Sequence, residues 1–449
     1  MQKGDKFSVK IDKMSNLATG IAKIDGQVIF VENACTGDEA EIEITNISKS
    51  YANAKVINII SPSPYRTEPF CPMQKVCGAC QLQFIDYNYQ LEVKRQTVQD
   101  ALHSIGGIDI EVPLTVASPV NTQYRHKVQY PISQTKVSKR LLAGYYKPKS
   151  HEIVNIKHCP IQPEICDNVI EFIRENAQNF GISGYNEKKY NGVLRHVVLR
   201  VSSNNGKVLV TLVINAKRPF DNIEKFANTI YENFDDVVGV CLNFNTKQTN
   251  VILSDNTICV AGQDFVEEKI LDKTFKIGAD TFFQVNPKSA ENIFKYVKDE
   301  IKKSDNPIVL DAYAGIAAFG ILVSDASKEV VSVESNKSSI EKAEEVIKLN
   351  NINNVKLFAE DTAKYLKSIK RKFDITILDP PRKGCTKESL DETLNRTKDK
   401  IIYVSCNPAT LARDLKYLLE KGCKLESVQP FDMFCHSYHV ETVAVIRMN

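Results

Sequence analysis

Short runs of alternating apolar and polar residues fill the first part of the chain. They are SVKIDKM, GIAKIDG, QVIFVENA, DEAEIEITNIS and NAKVINII, with glycines between them. Alternation with a period of two is typical of half-buried strands, and tight turns between short strands are typical of small barrels. Residues 1–60 are therefore predicted to form a small β-barrel of the oligonucleotide-binding kind. A β-module without a ligand is the alternative that this pattern leaves open.

The pattern changes after residue 60. The segment SPSPYRTEPF (61–70) carries prolines that interrupt regular structure and indicate a linker. Residues LEVKRQTVQDALHSIG (91–106) then show a helical period. From about 121 to 270, strand-like and helix-like patterns alternate, which predicts a central α+β domain over residues 61–270.

From residue 271 onward, apolar runs alternate with amphipathic stretches. The predicted strands are PIVLDAYAG, EVVSVES, NVKLFAED, FDITILDPP, KIIYVSCNP, CKLESVQPFDMF and ETVAVIRM. Helices such as SSIEKAEEVIKLNN and TLARDLKYLLEKG lie between them. This rhythm favours a doubly wound, Rossmann-like α/β domain over residues 271–449. The expected fold class is therefore multidomain: a small β-barrel, a central α+β domain and a C-terminal α/β domain.

Composition limits the class of protein. The 449 residues are 43% hydrophobic and 25% charged, which fits an ordinary globular chain of several domains. No apolar run reaches the roughly 18 residues of a membrane helix, and the N-terminus MQKGDKFSVK has no signal-peptide core. We therefore expect a cytoplasmic protein with no membrane partner. Because the net charge is only +3, any nucleic-acid surface must be local.

A turn rich in small residues, DAYAGIAAFG (311–320), follows the first strand of the C-terminal domain and opens a helix. Small residues there let a ligand approach the backbone and the helix N-terminus. Glu334 ends the next strand about 20 positions further on, where a carboxylate can bind ribose hydroxyls. The spacing is compatible with a dinucleotide or with S-adenosylmethionine and does not choose between them.

Cys406 lies just past a predicted strand, in YVSCNPAT, and before a predicted helix. Ligands bind at this edge of open α/β sheets, and a helix N-terminus favours the thiolate, so Cys406 is a candidate nucleophile. A buried, inert cysteine is the alternative. Asp379 ends the preceding strand and Glu441 opens the last one; either side chain could face the same pocket or lie in solvent.

Three cysteines, Cys71, Cys77 and Cys80, lie within ten residues, and Cys159 is a candidate fourth ligand. A disulfide framework is not expected in a large cytoplasmic chain. Four thiolates suit zinc and an iron–sulfur cluster equally well. Chance grouping of buried cysteines is the remaining alternative.

Residues 121–150 carry seven cations and no carboxylate, with four tyrosines interleaved. Cations neutralise phosphates, and aromatic faces stack on unpaired bases. This composition favours an RNA-binding face over a solvated strand face.

Taken together, the motifs resemble those of the bacterial RNA (uracil-5-)-methyltransferases that act on 23S ribosomal RNA. The resemblance covers essentially the whole chain and is carried by YRHKVQYPI (124–132), FFQVNP (282–287), LDPPRKG (378–384), YVSCNPATLARD (403–414) and HVETV (439–443). Residues 1–60 resemble a TRAM domain, the small RNA-binding barrel of these enzymes. The resemblance implies methyl transfer from S-adenosylmethionine to C5 of a uridine.

The resemblance also implies roles for individual residues. Cys406 would be the nucleophile that adds to uracil C6, and Glu441 would be the proton acceptor. The residues that would contact S-adenosylmethionine or border its pocket are Gln284, Tyr313, Glu334 and Asp379. The positions where the family holds a [4Fe–4S] cluster are occupied by Cys71, Cys77, Cys80 and Cys159.

Three positions depart from the family pattern. Ala314 replaces a common cysteine, Ala317 replaces a usual glycine, and Cys435 stands where a proline is usual. The change at Ala317 could tighten the cofactor loop.

Other functions remain open from the sequence. A transfer-RNA uracil-5 methyltransferase is the nearest, but that branch of the family typically lacks the TRAM domain and the cluster cysteines. A methyltransferase acting on another group would need no cysteine nucleophile, and an iron–sulfur RNA-binding protein would need no catalysis at all. We therefore expect 23S ribosomal RNA as the partner, with no obligatory protein partner.

Overall fold

Three sheets and a short hairpin follow one another along the chain in the computed structural model, which describes residues 1–449. None of its helices combines the length and the apolar character needed to cross a membrane.

The N-terminal sheet has six strands, where the sequence predicts five. They are β1 (Lys6–Lys10), β2 (Lys13–Met14), β3 (Gly20–Ile24), β4 (Gln27–Glu32), β5 (Glu39–Ile47) and β6 (Tyr51–Ser61), in the order β1-β5-β6-β4-β3-β2. The predicted strand SVKIDKM is divided because its backbone changes partners: Ile11 N donates to Asp38 O, whereas Asp12 N donates to Ile21 O. The chain therefore crosses from β5 to β3 at this point.

A helix and a second sheet follow. The helix α1 (Tyr87–Ala101) continues into a π-helical turn, Leu102–Gly106, and confirms the helix predicted over 91–106. The sheet contains β7 (Lys127–Gln134), β8 (Leu141–Ala143), β9 (Leu194–Val201), β10 (Val208–Ile214), β11 (Val237–Phe244) and β12 (Thr257–Gly262), in the order β12-β11-β10-β9-β7-β8. Two helices, α2 (Glu164–Asn176) and α3 (Asp221–Asn233), share a core with one face of this sheet.

Every residue of β9 and β10 is buried, because the second sheet is covered on both faces. Its other face joins the C-terminal core, since Leu209 and Cys241 share one apolar cluster with the hairpin β13 (Phe265–Ile270) and β14 (Lys273–Gly278). This hairpin spans the predicted boundary at 270/271. The three-domain division therefore stays a prediction.

All seven strands predicted for the C-terminal part are present. They are β15 (Ile308–Ala312), β16 (Glu329–Glu334), β17 (Val355–Ala359), β18 (Phe373–Leu378), β19 (Thr397–Ser405), β20 (Lys424–Phe431) and β21 (Glu441–Arg447). The helices are α4 (Pro287–Lys302), α5 (Ala318–Leu322), α6 (Lys337–Leu349), α7 (Thr362–Ser368), α8 (Lys387–Arg396) and α9 (Pro408–Glu420). Helices α4, α5 and α6 share an apolar cluster with one face of the sheet, and α1, α7, α8 and α9 with the other.

The C-terminal sheet is mixed, with the order β17-β16-β15-β18-β19-β21-β20. Its first five strands are parallel, whereas β21 is antiparallel to both of its neighbours. The chain passes through β20 at the edge and returns through β21 beside β19. The first residues of β21 therefore lie at the same edge as the last residues of the parallel strands.

Candidate functional site

The carboxyl edge of the C-terminal sheet collects most of the predicted site residues. Glu334 ends β16, Asp379 follows β18 and Cys406 follows β19. Glu441 begins β21, and Ser405 at the end of β19 pairs with Thr442. One further step of this antiparallel register places Cys406 opposite Glu441, and directly opposed residues present their side chains on the same face of a sheet.

Burial changes the acid–base properties of this pair. It raises the pKa of the Glu441 carboxyl to about 8, with a further contribution from Asp379 and an opposing one from Arg382. It also raises the pKa of the half-buried Cys406 thiol to about 11, with Glu441 adding to the shift and Arg382 opposing it. A carboxyl group held near neutrality is a better base than one at the surface, because its basicity matches the working pH.

Arg382 is a site residue that is not among the candidate residues named from the sequence. It is the cation that acts on both Cys406 and Glu441. Its carbonyl accepts hydrogen bonds from Asn407 Nδ2 and Thr410 Oγ1, both at 3.2 Å. The loop that carries Arg382 is thus attached to the first turn of α9, directly after Cys406. The only sequence signal was a basic pair after two prolines, which a surface turn would also show.

The end of this loop requires a glycine. Gly384 has φ +75°, and a Cβ there would lie 2.6 Å from Arg413 and Asp414. Asp414 Oδ2 accepts hydrogen bonds from Cys385 N at 2.9 Å and from Tyr403 Oη at 2.7 Å. These contacts hold the loop between β18 and α8 against β19 and α9.

The predicted cofactor loop is shaped by two carboxylates. Glu334 accepts hydrogen bonds from Gly315 N at 3.0 Å and from Asn336 N at 2.7 Å. The fully buried Asp311 accepts from Gly320 N and Ser332 Oγ, both at 3.0 Å. Its second carboxyl oxygen, Oδ1, has no hydrogen-bond partner. The two carboxylates therefore fix the loop from both ends, and one buried acceptor beneath it remains unsatisfied.

The backbone conformation of the loop explains why Ala317, which stands where a glycine is usual, matters. Tyr313, Gly315 and Ala317 all have φ between +56° and +60°. Glycine adopts this left-handed region without penalty, whereas a residue with a Cβ loses about 1 kcal/mol or more. Ala317 thus holds at some cost the conformation for which a glycine is usual, and the loop keeps its shape because Ala317 N donates to Ala314 O at 2.7 Å.

Two predicted cofactor residues lie apart from the cysteine–carboxylate pair. The Tyr313 hydroxyl hydrogen-bonds Ser389 Oγ at 2.7 Å. Gln284 lies in the loop before α4, which is attached to the second sheet by the bond from His126 N to Val285 O at 2.7 Å. No hydrogen bond joins Gln284 to the other predicted site residues.

The four predicted metal-binding cysteines border one enclosed cavity of about 20 Å³. Its other walls are largely apolar and include Met73, Tyr145, Ile156 and Ile161. As they stand, no three His, Cys, Asp or Glu side chains are arranged to hold a metal ion. The four predicted cysteines therefore lie around one cavity, without a preformed coordination geometry.

The basic stretch at 121–150 does not form one face, which corrects the sequence interpretation. Tyr124 and Tyr130 are buried and cannot stack on bases from solution. Lys127 is mostly enclosed, and burial, followed by Arg200, lowers its pKa to about 7. The period of the strand explains the burial of Tyr130, because alternate residues of β7 point into the core, whereas Tyr124 lies before this strand and donates a hydrogen bond from its hydroxyl to the buried Cys435 carbonyl. The exposed cations of the stretch are Lys136, Lys139, Arg140 and Lys149.

A cleft with two lobes surrounds the catalytic edge. One lobe, of about 410 Å³, includes Cys406 and Asn407 and extends to residues 13–17 of the N-terminal sheet. The other, of about 670 Å³, extends over residues 145–151 of the central part. Arg382, Tyr438 and His439 border both lobes. The cysteine–carboxylate edge is thus reached from a surface to which all three parts of the chain contribute.

Comparison with known proteins agrees with this arrangement. A family model described as tRNA (uracil-5-)-methyltransferase matches residues 86–448, and a TRAM domain model matches residues 1–57. A relative from Clostridium tetani, described as an uncharacterized RNA methyltransferase, is 37% identical over 99% of this chain and 97% of its own length. A protein of the same description from Gloeobacter violaceus is also 37% identical, over 99% of this chain and 97% of its own length.

A solved structure is similar over the whole length. It is the Pyrococcus abyssi tRNA (uracil-54, C5)-methyltransferase in complex with S-adenosyl-L-homocysteine. The TM-score is 0.78 at 27% identity, and the match covers 98% of this chain and 100% of that one.

The raised pKa of Glu441 predicts how stability depends on pH. A carboxyl whose folded-state pKa of about 8 exceeds its ordinary value of 4.5 stabilises the fold below pH 4.5, and this contribution is lost as pH rises to 8. E441Q cannot ionise and should avoid the loss. We expect E441Q to gain on the order of a few kcal/mol over the wild type between pH 5 and pH 9, measured by urea unfolding.

The exposed residue Glu420 supplies the matched control for this measurement. E420Q should follow the wild-type pH dependence. Parallel curves for E441Q and the wild type across the whole range would contradict the assigned pKa shift.

Proposed function

The chain belongs to the tRNA (uracil-5-)-methyltransferase family, and on this premise we propose that it methylates C5 of a uridine in 23S ribosomal RNA through a covalent adduct of Cys406. The observation that carries the proposal is that Ser405 pairs with Thr442 at the carboxyl edge of the sheet, with Cys406 directly after the one and Glu441 directly before the other. A nucleophilic thiol and a base of raised pKa on one face are the two groups that this reaction requires.

The cofactor loop is proposed as the binding site for S-adenosylmethionine. Glu334 would bind the ribose hydroxyls, and Gln284, Tyr313 and Asp379 would border the rest of the molecule. The support from charge is the unsatisfied Asp311 oxygen and the neighbouring Asp379, whose pKa burial raises to about 7, because a cation beside them would favour their ionised forms. When bound, S-adenosylmethionine supplies a methyl group as a sulfonium cation.

The first step belongs to Cys406. Uracil C5 is a weak nucleophile until a thiolate adds to C6, which moves the C5=C6 electron pair onto C5 and O4. Arg382 favours the thiolate, because it is the group that lowers the pKa of the thiol. A base stacked in a helix cannot present C6 to a thiol, so the target uridine must be single-stranded or flipped out.

The last step belongs to Glu441. After methyl transfer, C5 carries both the methyl group and its original hydrogen. Glu441 accepts this proton, the C5=C6 double bond forms again, and the Cys406 thiolate leaves C6. The two residues therefore act at opposite ends of the same covalent intermediate.

We propose that Cys71, Cys77, Cys80 and Cys159 hold a [4Fe–4S] cluster. The support is the sulfur-only donor set around one cavity with largely apolar walls, together with the motif resemblance. Methyl transfer requires no electrons, so the cluster is assigned a role in folding and RNA positioning.

Transfer RNA is the second candidate substrate, because the similar Pyrococcus abyssi enzyme acts on tRNA and matches the N-terminal sheet as well. The TRAM domain therefore does not separate the two substrates, and the proposal of 23S ribosomal RNA rests on the cysteine set and the catalytic motifs.

We expect 5-methyluridine to disappear from 23S ribosomal RNA, and not from tRNA, in cells whose only copy of the gene is C406A. Loss at tRNA position 54 alone would establish the second candidate instead.

Substituting the two catalytic residues should stop the reaction at different points. C406A should form no covalent RNA complex and transfer no methyl group. E441Q keeps the size of the side chain but removes its basicity, so addition and methyl transfer should still occur and elimination should not. Methylated RNA should accumulate in a covalent complex that survives denaturing electrophoresis, in a single turnover with labelled cofactor.

C259A, at an exposed cysteine, is the matched control for C406A and should behave as the wild type. Normal turnover by E441Q would exclude Glu441 as the base. Methylation by C406A would exclude the covalent mechanism and, with it, uracil C5 as the target.

The cluster proposal is tested by metal content. Protein purified without oxygen should be brown and contain about four irons per chain. C80A should lose the iron, whereas C166A, at a buried cysteine outside the cavity, should retain it. Stoichiometric zinc without iron in protein never exposed to oxygen would contradict the proposal.

A further inference from the structure

The two lobes of the cleft differ in chemistry on either side of the residues they share. The lobe over residues 145–151 contains Arg125, Lys147, Lys149 and His151 and is lined by no carboxylate. The lobe beside Cys406 contains one exposed ion pair, Lys13 with Asp100 at 2.9 Å, and half of its lining residues are hydrophobic. The first lobe therefore suits phosphates, and the second suits an uncharged, flat group.

Two exposed hydrophobic side chains border the lobe beside Cys406. Leu17, in the turn after β2, is 62% exposed, and Ile105, in the π-helical turn after α1, is 43% exposed. They lie far apart in sequence and line the same space. Single exposed apolar residues are common, but two that line the same cleft as Cys406 give this lobe an apolar lining that is open to a ligand.

The turn that carries Leu17 is held in a defined shape. Ser15 Oγ accepts hydrogen bonds from the backbone N–H groups of Leu17 and Thr19, both at 3.2 Å. Ser15 N also donates to Thr19 O at 2.7 Å. Because these bonds fix the turn, Leu17 is displayed toward the cleft in a defined position and is not the tip of a loose loop.

We propose that the space between Leu17 and Ile105 binds the unstacked base of a nucleotide next to the target uridine. The inference rests on the proposed function, since it takes the target uracil to lie at Cys406. A nucleotide neighbouring that uracil must pass one of the two lobes. Its phosphate is attracted by the cationic lobe, whereas its base gains most from the apolar one, where stacking does not depend on the identity of the base.

The charges in the lobe beside Cys406 favour the binding of a base rather than of the RNA backbone. Asp100 lines this lobe beside Lys13, so its carboxylate repels a phosphate there, whereas no carboxylate lines the other lobe. In the other lobe the pairs of Lys147 with Glu152 and of Lys149 with Glu32 are exposed. Exposed pairs contribute little, so a phosphate can replace those carboxylates.

The test combines a variant with a change in the RNA. The probe is an RNA fragment that carries the uridine methylated by the wild type, either intact or with an abasic residue on its 5′ or its 3′ side. For the wild type, one of the two abasic positions should weaken binding about tenfold, the loss expected for one stacked base. L17A should bind the intact RNA about tenfold more weakly and show less than about a twofold further loss with that abasic RNA.

Ile60 provides the control, because it is 56% exposed on the same N-terminal sheet and does not line the cleft. I60A should bind every RNA as the wild type does. L17A should also leave the salt dependence of binding unchanged, whereas K147Q combined with K149Q should reduce its slope.

Three results would overturn the inference. They are unchanged RNA binding by L17A, no effect of either abasic residue on binding by the wild type, or an abasic residue that weakens binding by L17A as much as it weakens binding by the wild type. Each is separate from a failure of the proposed function. If the proposed function failed, the wild type would form no Cys406 adduct with the intact RNA. Adduct formation is measured in the same reactions.

Discussion

The direction of one strand determines the chemistry of the C-terminal sheet. Five parallel strands bring their carboxyl ends to one edge, and there a loop can present a thiol or a carboxylate to a ligand. The antiparallel β21 adds the beginning of a strand to that edge, directly beside the end of β19. A sixth parallel strand in its place would carry Glu441 to the opposite edge. The position of Glu441 beside Cys406 therefore follows from the antiparallel direction of β21.

Because β21 is antiparallel to its neighbours, the path of the segment between β20 and β21 decides where β21 begins and therefore where Glu441 lies. The fully buried Asp432 in this segment pairs with Lys94 of α1 at 2.6 Å and accepts a hydrogen bond from Tyr87 Oη at 2.9 Å. Leu82 N, two residues after Cys80, donates to His436 O at 2.8 Å. Removing one partner of a buried ion pair costs about 3–5 kcal/mol. Residues before 100 thus hold the catalytic edge in place, although they lie far from it in sequence.

Sequence patterns predicted strands and motif positions well but predicted exposure poorly. All seven C-terminal strands were predicted, because apolar runs between amphipathic helices have few other structural interpretations. The first strand was predicted as continuous, since its division depends on which strands Ile11 and Asp12 pair with. Lys127 was assigned to an RNA-binding face because charge alone cannot show that a strand is covered on both sides. Arg382 is not among the candidate residues named from the sequence, since its effect on Cys406 and Glu441 depends on the loop being attached to α9.

Acidic groups dominate the electrostatics of the catalytic edge. Burial raises the pKa of Asp311 and Asp379 to about 7 and that of Glu441 to about 8, and each of the first two also raises that of a neighbour. Near neutral pH these groups therefore share protons among them. The raised pKa of Glu441 follows first from its burial and then from the neighbouring Asp379, whose own pKa is raised by burial and by Asp311. The basicity of the carboxylate at the end of β21 is thus set by burial and by charge, without movement of the chain.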